Sequence, residues 1–134
     1  MYSGYITDVK GIAVGHAEDL EKGTGVTVIL PPKGNTAGGD VRGGAPGTRE
    51  CVLLNPTYAV DEVHAFVLSG GSAYGLEAAS GVMRGLREDG IGFEVGVGVV
   101  PIVSSAVLFD LTYKSQDAWP DMAMGLDAYK RASL

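Results

Sequence analysis

VHAFVLSGGSAYGLEAASGVMRGL, residues Val63 to Leu86, runs an apolar strand into paired glycines and on into a helix of small residues. Val63–Leu68 is a nearly continuous apolar run, the pattern of a strand covered on both faces. Gly70 and Gly71 lack a β-carbon, so the chain can turn sharply there and another group can approach the main chain closely. Beyond them Leu76, Ala79, Met83 and Leu86 recur at helical steps. The other sides carry Gly75, Ala78, Gly81 and Gly85, which leave room for a second helix or a sheet to come close. This predicts a central helix rather than a surface decoration, and strand, tight turn and helix together predict an α/β fold.

Ser72 is placed to cap that helix. Its hydroxyl would satisfy one first-turn amide, and the amides left free, with the peptide dipoles, would favour an anion or a developing oxyanion. The loop lacks the Lys-Ser/Thr ending of a Walker loop and the third glycine of a dinucleotide fingerprint, which weakens a phosphate cradle. A junction that only fixes packing is the commoner case.

Outward from this unit, Gly11–His16 and Gly25–Leu30 carry β-branched residues between turn signals and predict a hairpin around the acidic connection 17–23. Pro31-Pro32 ends the second strand. Asn35–Arg49 is glycine-rich and predicts a short strand around Ala37–Arg42 followed by an ordered loop. Arg42 and Arg49 could each bind a carboxylate, with an ordinary surface or interface ion pair the commoner role. Ile91–Val100 alternates glycine with apolar residues, and Pro101–Leu111 forms a further apolar segment holding Ser104, Ser105, Phe109 and Asp110. Asp121 is a candidate cap for a last helix through Lys130.

At 134 residues the chain suits one domain, residues 1–134, with a real core. Its 21 glycines exceed the usage of about 7% in average proteins, yet they interleave with Val, Ile and Leu, which marks a folded chain with many close backbone approaches. A net charge of −6 with scattered acids argues against nucleic acid or an anionic membrane as partner. No signal-peptide pattern or membrane-spanning run is present, so a cytoplasmic protein acting on a small molecule or peptide is expected. The single Cys51 excludes an intrachain disulfide, and its apolar neighbours predict a buried or half-buried strand thiol. His16 and His64 have no metal-ligand spacing and are expected to pack or hydrogen-bond at strand edges. A triad of Ser72, His64 and Asp61 lacks the GxSxG context, so no metal or cofactor and no complete catalytic set is expected.

The ordered blocks TDVKGIAVGHAEDLEKGTGVTVILP, DVRGGAPGTRE, AFVLSGGSAYGLEAASGVMRGL, VVPIVSSAVLFDL and WPDMAMGLDAY resemble the α-subunit region of the DmpA-type aminopeptidases. That family, also called L-aminopeptidase/D-esterase, includes β-aminopeptidases and nylon-oligomer hydrolases. The blocks cover almost all of residues 6 to 129. The resemblance implies one half of a layered αββα, DmpA/ArgJ-like fold of the N-terminal-nucleophile type, with sheet strands packed on a central small-residue helix. It also implies a precursor that cuts itself before a Ser or Thr, whose freed amino group serves as general base for the hydroxyl.

The family's later blocks, with the scissile junction and the nucleophile, do not occur in this sequence. No catalytic residue is therefore expected within it, and a β part of the same precursor is expected to carry the nucleophile. Homo-oligomerisation is expected too, because a lone half would leave an apolar sheet face in water. The segment matching SSAVLFDL lines the family's active site, so Ser69, Gly70, Gly71, Ser72, Tyr74, Phe109 and Asp110 are the expected pocket wall for a small peptide or amide substrate. In some members a tyrosine stands where this sequence has Phe109, so that hydroxyl is lost here. The alternative is a non-catalytic assembly or small-anion-binding domain using the Gly70-Gly71 junction.

Overall fold

The computed structural model describes residues 4–134. The expected hairpin forms, but its first strand runs later than the expected Gly11–His16: β1 (Ala13–Asp19) and β2 (Thr24–Leu30) pair antiparallel, with Ala13 opposite Leu30 and Asp19 opposite Thr24, so residues 17–19 belong to the ladder and not to the connection. β3 (Thr48–Arg49), β4 (Ala65–Ser69) and, after a small separate hairpin of β5 (Phe93–Glu94) and β6 (Val99–Val100), β7 (Val103–Val107) complete the strands. The main sheet runs β1-β2-β4-β7-β3, and its β4–β7 pair is parallel. The crossover between those two strands carries α1 (Ala78–Glu88), and α2 (Met122–Lys130) follows β7. Asp121 caps α2 as its sequence position suggests, accepting from the Met124 amide at 2.8 Å.

Both helices lie on one face of the sheet. Ala17, Val26, Val28, Ala65, Val67 and Val103 alternate inward and pack on Ala78, Ala79, Val82 and Leu86 of α1 and Ala128 and Tyr129 of α2. Full burial of each larger side chain there contributes about 1.5–3 kcal/mol. The small residues do what their spacing implies. A β-carbon at Gly81 would run into the Met122 carbonyl, and one at Gly125 into the Ala78 carbonyl, so the two helices touch backbone to backbone. Helix α1 is nonetheless not enclosed: Arg84, Arg87 and Glu88 are exposed, so it is one member of a two-helix layer rather than a central element.

On the opposite face the register brings Val14 beside Ile29, Ile29 beside Phe66, and Leu68 beside Ala106. On this face Leu68 is 51% exposed, while at its β7 end Ser104, beside Phe66, is buried and donates to the Glu50 carbonyl.

Three local expectations are corrected. No strand forms at Ala37–Arg42; its pairing is limited to the Ala37 amide on the Asp61 carbonyl, because Gly38-Gly39 brings high chain entropy and no side chains to pack. Cys51 is half-buried but sits in a 3-10 turn, Cys51–Leu54, because Glu50 at φ +56° turns the chain out of β3. Ser72 does not cap the helix. It lies at φ +53°, and Ser72–Glu77 is a 3-10 segment ahead of α1 with no side-chain cap bond.

Candidate functional site

The carboxyl ends of the parallel strands β4 and β7 lie side by side, the usual place for a ligand crevice in such a sheet. Five of the expected residues follow β4 or end it, and Phe109 and Asp110 follow β7. The structure therefore brings Ser69, Gly70, Gly71, Ser72, Phe109 and Asp110 to one end of the sheet. The backbone knits the two strand ends together: Leu108 donates to the Ser69 carbonyl at 3.0 Å, and Ser72 donates to the Leu108 carbonyl at 2.9 Å.

Asp110 is the centre of the cluster. One carboxylate oxygen accepts from the Gly71 amide at 2.6 Å, and the other accepts from the Thr24 hydroxyl at 2.9 Å. Gly70 and Gly71 are required here for closeness. A β-carbon at Gly70 would overlap the Asp110 carboxylate, and Gly71, at φ +80°, lies against Trp119. The anion at this junction is thus the protein's own carboxylate. The amides of Gly70, Gly71 and Ser72 are all engaged, on Gly25, Asp110 and Leu108 respectively, and none of the three is left for an external anion.

The remaining expected residues divide. Ser69 is 3% exposed and donates to the Gly70 carbonyl at 3.1 Å, so its hydroxyl braces the turn. Tyr74 stacks on Trp119 with ring centroids 4.7 Å apart, and Phe109 stands 66% exposed without a ring partner among the described residues. Beside Asp110 a cleft of about 420 Å3 opens, bounded by Thr24, Gly70, Leu108 and Tyr113.

Thr24 and Trp119 are neighbours of this cluster that sequence reasoning missed. Thr24 is separated from Asp110 by 86 positions, and its one signal is its place between two glycines in KGTGV.

No described serine, threonine or cysteine in this cluster is hydrogen-bonded to a histidine. His16 does meet a hydroxyl, Nδ1 to Thr27 Oγ1 at 2.9 Å, but as a directly opposed, exposed pair on β1 and β2. His64 precedes β4, whereas Ser72 follows it, so the strand separates the members of the imagined triad. The His64 Nδ1 instead accepts from the Ile102 amide at 3.0 Å, and burial holds the ring below its ordinary value of 6.5 against the raising effect of Glu62. Among the described residues no group of three or more His, Cys, Asp or Glu could hold a metal ion. No helix among them is long and apolar enough to cross a membrane.

A family model described as peptidase family S58 matches residues 4–132. An uncharacterized aminopeptidase of Mycobacterium tuberculosis is 48% identical over 137 residues, covering 96% of this chain and 40% of the relative. A 6-aminohexanoate-oligomer endohydrolase of Kocuria sp. is 40% identical over 125 residues, 93% of this chain and 33% of that enzyme. Among solved structures, a protein of Pyrococcus horikoshii OT3 superposes with a TM-score of 0.67 at 25% identity, over 96% of this chain and 40% of that one. The chain therefore spans about two fifths or less of the length of these relatives.

Proposed function

This chain belongs to peptidase family S58, and on that footing we propose that it forms the α part of an N-terminal-nucleophile hydrolase acting on small peptides, amino-acid amides or esters. The observation that carries the reading is the open sheet face. Val14, Ile29, Phe66, Leu68 and Ala106 are the apolar members of two adjacent rows on that face, which they share with His16, Thr27 and Ser104, and the face calls for a cover in a chain spanning about two fifths of its relatives. A β part of the same protein would lay its own sheet on that face, giving the αββα layering, and homo-oligomers would be built from the completed unit.

In that assembly the β part begins with the Ser or Thr exposed by self-cleavage. Its α-amino group takes the hydroxyl proton as the oxygen attacks the substrate carbonyl. The proton passes to the leaving amine or alcohol, and water then releases the acyl group. The residues of this chain contribute walls and rigidity. Phe109 presents an apolar surface beside the strand ends. Asp110 locks the Gly70-Gly71 turn, so Ser69 to Tyr74 hold one position while substrate exchanges. The anion-binding alternative has less support, since the junction amides already have internal partners.

Mass spectrometry and amino-acyl anilide assays on the family-length protein test the proposal. The expected result is two chains, the second starting with Ser or Thr, with cleavage and hydrolysis both lost when that residue becomes alanine. An active, uncleaved single chain would overturn it.

A further inference from the structure

On α1, Met83, Arg84 and Arg87 lie three, four and seven positions beyond Ser80 and so share one stripe with it. The β5–β6 hairpin stands opposite, presenting Val95 and Val97, and the cleft between them measures about 430 Å3. In a protein of net charge −6, no Asp or Glu among the described residues lines this cleft.

Arg49 supports its wall from β3. Its Nη1 donates to the Ser80 hydroxyl at 2.7 Å and its Nη2 to the Met83 sulfur at 3.5 Å. Neither acceptor carries charge, and the ion pairs found among the described residues include neither Arg49 nor Arg87. A half-buried guanidinium gives up hydration that a carboxylate normally restores, and a thioether is a weak acceptor that a carboxylate would displace. A second polar group nearby is also unmatched. Ser105, directly opposite Arg49 across the β3–β7 ladder, is 3% exposed and its hydroxyl has no hydrogen-bond partner. The helix dipole accounts for Arg87 in the last turn of α1, but it does not account for Arg49 on a strand.

We infer that the cleft between α1 and the β5–β6 hairpin is a binding site for a carboxylate borne on a short apolar group. The charge lies against Arg87, Ser80 orients it, Arg49 reaches it from behind Ser80 in place of the Met83 sulfur, and Val95 and Val97 receive the apolar part. A free small acid and an Asp or Glu side chain flanked by apolar residues share this chemistry. The inference is independent of the hydrolase reading, because it concerns a cleft other than the one beside Asp110.

Amide NMR on the family-length protein tests it, with butyrate, the blocked peptide acetyl-Val-Glu-Val-amide and the neutral control butyramide as probes. Saturable shifts at Ser80, Arg84, Arg87 and Gly98 are expected with a carboxylate and absent with butyramide. Tighter binding of butyrate identifies a free acid as the source, and tighter binding of the peptide identifies a side chain. Arg49→Met should weaken binding about tenfold or more. Arg87→Gln, at an exposed position that spares the fold, should weaken it several-fold. Shifts no larger than those of butyramide, or unchanged binding in both variants, would overturn the inference.

Discussion

Asp110 holds Gly71 by its backbone, the carboxylate accepting the amide at 2.6 Å across 39 positions of sequence. The bond joins the end of β7 to the turn after β4, and it decides what each variant at Asp110 does. Asp110→Ala leaves the Gly71 amide and the Thr24 hydroxyl without their acceptor, and should cost about 1–3 kcal/mol in urea denaturation. Asp110→Asn keeps one acceptor oxygen and presents a donor to Thr24, whose hydroxyl can accept. It should therefore retain most of the stability that the alanine variant loses.

Gly81→Ala sets two effects against each other. Alanine improves helix propensity by about 1 kcal/mol. The new methyl, however, meets the Met122 carbonyl, which is backbone and cannot turn aside. Net destabilisation of about 1–3 kcal/mol is expected. Gly44→Ala, at a position with open space around it, should leave the melting temperature nearly unchanged.

Between neutral pH and pH 5 the His64 ring should make stability fall. Its folded value lies below the ordinary 6.5, so the unfolded chain binds the proton first as pH drops. The contribution is whole above 6.5 and is lost as pH falls through the folded value. His64→Asn can still accept from the Ile102 amide without titrating, so its melting temperature should depend less steeply on pH across this window.

Tyr129 shows the opposite sign. Burial first, and the bond its hydroxyl donates to Asp89 at 2.5 Å second, push the phenol well above its ordinary 10. Its contribution is complete below pH 10 and is lost as pH rises beyond it. Tyr129→Phe should lower stability by about 1 kcal/mol at pH 7 and reduce the alkaline loss seen by circular dichroism.

Phe109→Tyr places a hydroxyl on a ring that is 66% exposed, so the fold should change by no more than about 0.5 kcal/mol. If the proposed hydrolase assembly forms, the same change should alter its hydrolysis rate while leaving the melting temperature in place.

Periodicity carried most of the architecture. The hairpin, β4 and both helices were legible because each has a face to bury, and alternation or helical spacing reports that directly, whereas β7 was visible only as part of an apolar segment. The failed strand at Ala37–Arg42 shows the limit, since β-branched Thr36 and Val41 flank two glycines that supply nothing to bury. Ser72 failed differently. Its residue type suits a cap, but the left-handed turn at Gly71 and the bond from its amide to Leu108 are set by β7, which lies far along the chain. The two segments that family resemblance marked, SGGSAY and VLFDL, do meet at one end of the sheet. That the Asp110 carboxylate fills the glycine turn, with Thr24 as its second donor, was not legible, since pairings between distant positions leave no local spacing.

The margins of the main sheet constrain how this protein can associate. At one margin β3 offers a mere two residues, Thr48 and Arg49, and at the other Ser133 exchanges two backbone bonds with Val14, at 2.9 and 3.1 Å, while β1 continues into Glu18 and Asp19. A neighbouring strand finds two residues of ladder at β3 and, on β1 beyond Val14, only His16 and Glu18 facing outward, with charge where it would start. Fibrous, margin-to-margin growth is thereby discouraged, and the route left for joining another molecule is stacking across the flat of the sheet.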